Sequence, residues 1–323
     1  MNRIKSPNNF ITNLPLRLPE VGMVKMGYRD RGNPRTSKND NVYYLPKKTD
    51  YFLIMKKELD NDGFYIPDVE AMSNLGHTVE QTEKGNYYTD PPITEIDIAF
   101  PVNDLELIFH SSYRYYAQNE IICAGDGSSA VHKVYKDEEG NELKKPGSKE
   151  CECPCPYLER GACKPYGELS FMLLKSPTFG GIYKLRTTGF NTTTFLQSSI
   201  SQMAKLTKGW MAGVPFKLKL MMKDGSYTDK GGKSHPTTFP VAYLEYAGQT
   251  NELIEASNRI EQGIPEGQLE REKKLLLSKD NYGDETEQRL INEEFSPGTI
   301  DDDPTQLDIL DLTNETVKIE NKE

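Results

Sequence analysis

Ile96, Ile98 and Phe100 alternate with other residues, and Leu105, Leu107 and Phe109 repeat the pattern a few positions later. A period of two puts the apolar side chains on one face of an extended chain, the mark of a half-buried strand. Pro101, Asn103 and Asp104 lie between the two runs, so the pair predicts a hairpin. The same alternation returns at Leu169, Phe171 and Leu173, along Val214, Phe216, Leu218, Leu220 and Met222, and at Phe239, Val241 and Tyr243. One segment breaks it. Phe195 or Leu196, Ile200, Met203 and Leu206 or Thr207 recur at helical spacing. Thr194 and Gln197 fit a capping box at its start, Lys205 and Lys208 complement the dipole at its end, and Gly209 stops it. Ile182–Thr188, a helix over 194–208 and Val214–Lys223 thus predict a strand–helix–strand unit. The expected class is α+β, mostly antiparallel strands around that one central unit.

Polarity divides the rest of the chain. Residues 1–45 are rich in Asn, Pro, Gly and Arg, with one candidate strand at Val21–Tyr28, and read as a flexible N-terminal arm. The core is expected over 46–250. Residues 251–280 read as a charged helical segment, and 281–323 as a disordered acidic tail with few aromatics. Charge follows the same division. Residues 251–323 hold 20 acidic and 8 basic side chains, a balance of −12, whereas 1–250 hold 29 and 31, a balance of +2. The net −10 therefore belongs to the tail, and the near-neutral body lacks the footprint of a dedicated DNA-binding domain. No apolar run approaches the roughly 20 residues that span a bilayer, and the N-terminus has no apolar export segment. A host cytoplasm is the expected compartment.

The five cysteines, Cys123, Cys151, Cys153, Cys155 and Cys163, form one group. An odd number without an export signal argues against a disulfide framework, and the close spacing points to a metal. Four thiolates close the tetrahedral shell of a structural zinc, so five candidates compete for four places. Cys123, Cys155 and Cys163 are the main choices, with either Cys151 or Cys153 completing the set. The glycines of Cys123-Ala-Gly-Asp-Gly127 permit a tight turn, and Pro154, Pro156 and Pro165 stiffen the second half of a zinc knuckle over 121–166. The bland alternative, buried free cysteines, sits poorly beside Lys144, Lys145, Lys149 and Glu150. An all-sulfur shell leaves no open position, and His77, His110, His132 and His235 do not share the spacing of a zinc hydrolase. One structural zinc and no enzymatic activity are expected.

Other signals have plain readings. Gly125-Asp126-Gly127 and Gly180-Gly181 lack a full phosphate-binding pattern and read as turns. Ser198 and Ser199 have no evident base beside them and read as helix surface. Lys217, Lys219 and Lys223 share a strand face, either a solvated face or a basic ribbon for a phosphate backbone. Tyr113, Tyr115 and Tyr116 around Arg114 read as strand packing, with base stacking as the alternative. Leu307–Leu312 alternates acids with aliphatics, as a docking peptide or a solubilising tail does.

Several of these motifs together resemble a phage family of recombination directionality factors, partners of large serine integrases. The resemblance rests on Cys123-Ala-Gly-Asp-Gly127, Cys153-Pro-Cys155-Pro-Tyr157 and Cys163-Lys-Pro-Tyr-Gly167 leading into Glu168–Leu174. It continues through Phe179-Gly-Gly-Ile-Tyr183, Arg186-Thr-Thr-Gly189 and Ala212-Gly-Val-Pro215, with Met26-Gly27 and Pro46–Phe52 upstream, and covers roughly 21–246. It implies a protein that binds a serine integrase already on DNA, redirects its coiled-coil arm, and switches it from integration to excision. DNA would be met mainly through the integrase. The alternative function is a zinc-containing single-stranded nucleic-acid-binding protein of phage replication or recombination. Genome neighbourhood separates the two.

Overall fold

The structure is a computed structural model. It describes residues 18–36, 42–117, 120–136, 142–152, 154–176, 180–228, 232–249, 251–255 and 258. Along the chain come β1 (Glu20–Thr36), β2 (Val42–Leu59), β3 (Tyr65–Pro67), α1 (Val69–Asn74), β4 (Thr78–Gln81) and β5 (Tyr87–Asp90). Next are β6 (Glu95–Ala99), α2 (Leu105–Ile108), β7 (Phe109–Ala117), β8 (Glu120–Gly125), β9 (Ser129–Lys136) and β10 (Glu142–Glu152). Then follow α3 (Pro156–Glu159), β11 (Lys164–Leu173), β12 (Ile182–Thr187), α4 (Phe190–Leu206), β13 (Pro215–Thr228) and β14 (Ser234–Tyr246). The protein is α+β and mostly antiparallel; β1 with β12 is a parallel pair.

One path of the main sheet runs β10-β9-β8-β7-β11-β12-β1-β2-β3. Strand β11 is where it branches. Its first half, Lys164–Leu169, pairs with β7, whereas Met172 and Leu173 pair with β6. Strand β6 carries β13, and β13 carries β14. The leaves diverge from β11 and enclose a core of Phe52, Ile54, Ile96, Ile98, Leu169, Phe171, Leu185 and Phe216, which Leu196 and Ile200 of α4 complete. Alternation at Leu169, Phe171 and Leu173 is thus a core-facing strand, as its period predicts.

Four sequence expectations change. Leu105, Leu107 and Phe109 do not pair back on Ile96–Phe100. The Asp104 carboxylate accepts hydrogen bonds from the Glu106 and Leu107 N–H groups and caps the short helix α2, so β7 starts at Phe109 and pairs with β8 and β11. Helix α4 starts at Phe190 rather than 194. Thr193 N–H already donates to Gly189 C=O, and the Thr194 hydroxyl donates back to Phe190 C=O, so the capping box does not form. Its end is as expected: Gly209, with φ +87°, donates its N–H to Ala204 C=O. In β14 the central core takes Ala242 and Leu244, one residue out of step with Phe239, Val241 and Tyr243, although Val241 is also fully buried.

The fourth change concerns residues 20–45. Glu20–Thr36 is a strand whose Met23 and Val24 are buried, so this part of the expected arm belongs to the folded body. Residues 251–255 are helical, with Leu253 buried. Residues 1–17 and the acidic tail over 281–323, with Leu307–Leu312, lie outside the described residues. No helix among the described residues is long and apolar enough to cross a membrane.

Candidate functional site

Cys123 sits near the end of β8, paired with His132 of β9 and Tyr115 of β7. The β8–β9 turn that follows is held by Asp126. Its carboxylate accepts from Ser128 N–H at 2.8 Å, Ser129 N–H at 2.7 Å and the Ser128 hydroxyl at 2.9 Å. Those donors, the Ser129 amide first, hold the Asp126 carboxyl down to about 2. Gly127 turns the chain at φ +96°.

Cys155 and Cys163 arrive from a different loop. Cys155 is the N-cap of α3, with Pro156 locked at the first helical position. Glu159 N–H bonds to Cys155 C=O, Gly161 takes φ +71°, and the Ala162 and Cys163 N–H groups both return to Tyr157 C=O. This single reversed turn brings Cys163 back beside Cys155. The two loops meet around a cavity of about 10 Å³ lined by Cys123, Cys155 and Cys163 with Tyr113, Gly125 and Gly127. Tyr157 stacks on Tyr115 at 5.0 Å and lies 6.2 Å from the His132 ring. Burial, with Tyr157 and Cys163 next, raises the Tyr115 hydroxyl.

Cys151 is elsewhere. It pairs with Ala130 in the β9–β10 ladder and turns its Sγ toward Lys149 C=O at 3.8 Å, and it does not line the cavity. Cys153 lies outside the described residues. Among the described residues no group of three or more His, Cys, Asp or Glu side chains is arranged to hold a metal ion. The three thiols therefore share a wall without closing a ligand shell by themselves. The sulfur-only donor set and a void the size of one small particle fit a single thiophilic ion once a fourth thiolate joins them.

His132 stands across from Cys123 without lining the shared cavity, and the other three histidines are scattered. His77 Nδ1 is 2.7 Å from Pro91 C=O, His110 stands opposite Glu168, and His235 opposite Tyr227. The lysine face of β13 is real but neutralised. Lys217 Nζ lies 2.6 Å from Glu95 and 3.5 Å from Asp97, and Lys219 Nζ 3.0 Å from Glu245 and 3.8 Å from Glu95. Lys223 bonds Asn191 and sits over the Phe195 ring. Glu95 and Asp97 come from β6, far away in sequence, and Glu245 from the neighbouring β14, so the face presents balanced charge rather than a basic ribbon. Arg114 is buried over the Tyr166 ring, so the tyrosines around it serve packing. Ser199 bonds Phe195 C=O, while Ser198 is exposed on the outer face of α4.

Sequence reasoning missed a buried ionic network on the sheet face opposite the main core. Arg186 Nη1 and Nη2 each bond Glu20 at 2.8 Å, and its Nε bonds Glu168 at 2.8 Å. Lys184 and the Tyr166 hydroxyl also reach Glu168, at 2.6 and 2.9 Å. Burial pushes the Glu168 carboxyl up, but the charges of Arg186 and Lys184 outweigh it and hold the group well below the usual carboxylate range. Polar residues at every second position of β11 and β12 were the available signal: Tyr166, Glu168 and Ser170 against Lys184 and Arg186.

These features define a branched, mostly antiparallel α+β protein with a cysteine-lined turn cluster at one side of the sheet. The family model described as Gp3-like, recombination directionality factor-like, matches residues 21–247, and the chain belongs to that family. No curated protein and no solved structure gives a significant match.

Proposed function

We propose that this chain is a recombination directionality factor that binds a large serine integrase on DNA and switches it from integration to excision. The observation that carries the reading is the extent of the family match. Residues 21–247 span β1 to the end of β14, the whole branched sheet with α4. The partner surface would engage the integrase's coiled-coil arm, and the protein would act by binding, without catalysis, in the host cytoplasm. Against the single-strand-binding alternative stands the pairing of Lys217 and Lys219 with Glu95, Asp97 and Glu245.

Zinc has a place in this reading as a staple. Cys123, Cys155 and Cys163 would hold it, with Cys153 as fourth ligand, since Cys151 does not line the shared cavity. Bound there, the ion supplies folding free energy and no reactive position, because four thiolates close its shell. Pro156 and Gly161 pre-shape the Cys155–Cys163 loop, and Gly125 lets β8 close up against β9 beside Cys123. An excision assay with the cognate integrase tests the function. Excision products should form only when this protein is added. Unchanged integrase products with and without it would overturn the reading.

A further inference from the structure

We propose that the β1–β2 ribbon is a contact surface for the phosphate backbone of duplex DNA. This goes beyond the integrase-directed reading, because it needs no integrase.

Strand β1 pairs with β12 only over Glu20–Val24. From Gly27 onward, β1 and β2 continue as a two-stranded ribbon, with Gly27 opposite Lys48, Tyr28 opposite Lys47 and Arg35 opposite Tyr43. A register shift between Lys25 and Gly27 re-aims it, and a Cβ at Gly27 would stand 2.4 Å from Lys47 C=O, so the close approach there requires glycine. The ribbon is braced rather than loose. Arg31 N–H donates to Asn86, the Arg31 guanidinium pairs with Asp60 and covers the Phe64 ring at 3.9 Å, and Tyr44 packs on Phe64 at 4.9 Å.

Charge is concentrated here. Residues 25–36 and 42–50 carry Lys25, Arg29, Arg31, Arg35, Lys47 and Lys48 against Asp30 and Asp50, a balance of +4. The body over 1–250 is +2, which leaves −2 for everything else in it. Asp60, outside these stretches, neutralises Arg31 and reduces the ribbon's balance to +3, while Asp30 accepts from Asn86 at 2.8 Å and from Gly32 N–H at 3.1 Å and also feels the charge of Lys47. Among the described residues, Arg29, Arg35, Lys47 and Lys48 have no carboxylate within ion-pair distance, unlike Lys217 and Lys219. Arg35, Lys47 and Lys48 are exposed. From Tyr43, the partner of Arg35, to Lys47 is four strand steps, roughly 13 Å at about 3.3 Å per residue.

Two observations select duplex over single-stranded nucleic acid. Binding of single strands relies on several free aromatic faces, and apart from Tyr43 the rings here are engaged: Tyr28 lies under Lys47 at 6.0 Å, Tyr44 packs on Phe64, and Phe64 lies under Arg31. A braced two-stranded ribbon also matches the major groove in width, which admits such a ribbon between its phosphate walls.

The test uses full-length protein, without integrase, and a fluorescent duplex or its separate strand, over a salt series from about 50 to about 200 mM. Four phosphate contacts give a slope of log K against log salt of roughly −3.6. The R35Q/K47Q/K48Q variant should flatten it by roughly 2.7, R35K/K47R/K48R should keep it, and K217Q/K219Q should leave it unchanged. Independently of any variant, duplex should shield Lys47 and Lys48 of the wild-type protein from amine acylation. A triple-glutamine variant with the wild-type slope, tighter binding of the single strand than of the duplex, or unshielded Lys47 and Lys48 would each overturn the proposal.

Discussion

The guanidinium of Arg186 grips the Glu20 carboxylate through two parallel bonds of 2.8 Å, tying β12 to the strand that begins the described fold. Its Nε reaches Glu168 on β11, so one side chain clamps three neighbouring strands. Both side chains of the Arg186–Glu20 pair are almost fully buried. Removing one member of such a pair strands the others without solvent, and typically costs about 3–5 kcal/mol. R186M should therefore lower stability by about that amount in chemical denaturation, and a loss below about 1 kcal/mol would show the network to be dispensable.

Glu168 gives that network a pH signature. Its folded carboxyl sits below the ordinary value, so the ionised form is favoured in the folded state. Its contribution is complete above about pH 5 and is lost as pH falls through and below the usual carboxylate range. The stability gap between wild type and E168Q should therefore be widest near neutrality and should narrow on acidification. A gap that widens toward low pH would contradict the assignment.

The cysteines divide by position, and their variants should divide the same way. C155S and C163S remove thiols that line the shared cavity, whereas C151S removes one that does not. Elemental analysis of the purified protein should find about one zinc per chain in wild type and C151S, and much less in C155S and C163S. Loss of zinc from C151S with retention in C155S would exchange the roles of the two residues.

Much of this site was legible because its signals are local. The Cys123–Gly127 turn and the Pro156–Cys163 loop are each fixed within a few residues, by Asp126 bonding to Ser128 and Ser129 and by returns to the Tyr157 carbonyl. The strand–helix–strand segment was legible for the same reason. What failed depended on long-range partners or on competing short-range bonds. Spacing put Lys217 and Lys219 on one face, but nothing near them in sequence tells that Glu95 and Asp97 lie opposite. Asp104 won the contest for Leu105–Ile108 by capping a helical turn, where alternation alone favoured a strand. The −10 net charge concealed a basic ribbon, because strand pairing joins Arg29 and Arg35 to Lys47 and Lys48 from separate stretches of chain.

The early start of α4 leaves an opening for stabilisation. Gly189 is the N-cap, with φ −78° and ψ 115°, and makes no side-chain cap bond. A Cβ there would find Thr187 Oγ1 at 3.4 Å and nothing closer, so a larger residue fits. G189S should add a cap bond and restrict the unfolded chain, raising stability by about 0.5–1 kcal/mol, read as a higher melting temperature. An unchanged or lower melting temperature would mean that backbone freedom at this junction is required.

The two glycines flanking Asp126 resist substitution for different reasons, and the difference can be measured. At Gly125 the obstacle is space: a Cβ would stand 2.3 Å from Ser129 C=O and 2.7 Å from the Ala130 Cβ, both on the paired strand β9. Neither is a flexible side-chain end, so G125A must push β8 away from β9 and move the wall that carries Cys123. At Gly127 the obstacle is conformation, φ +96°, while the nearest atom, in the Tyr113 ring, is at an ordinary 3.4 Å. G127A should therefore cost about 1–2 kcal/mol of local strain and leave the cysteines in place. Zinc content separates the two, since stability falls in both. G127A should keep its metal, and G125A should lose it together with the burial of Cys123, seen as faster thiol labelling. Equal zinc retention in both variants would show that Cys123 does not depend on the close approach of β8 and β9.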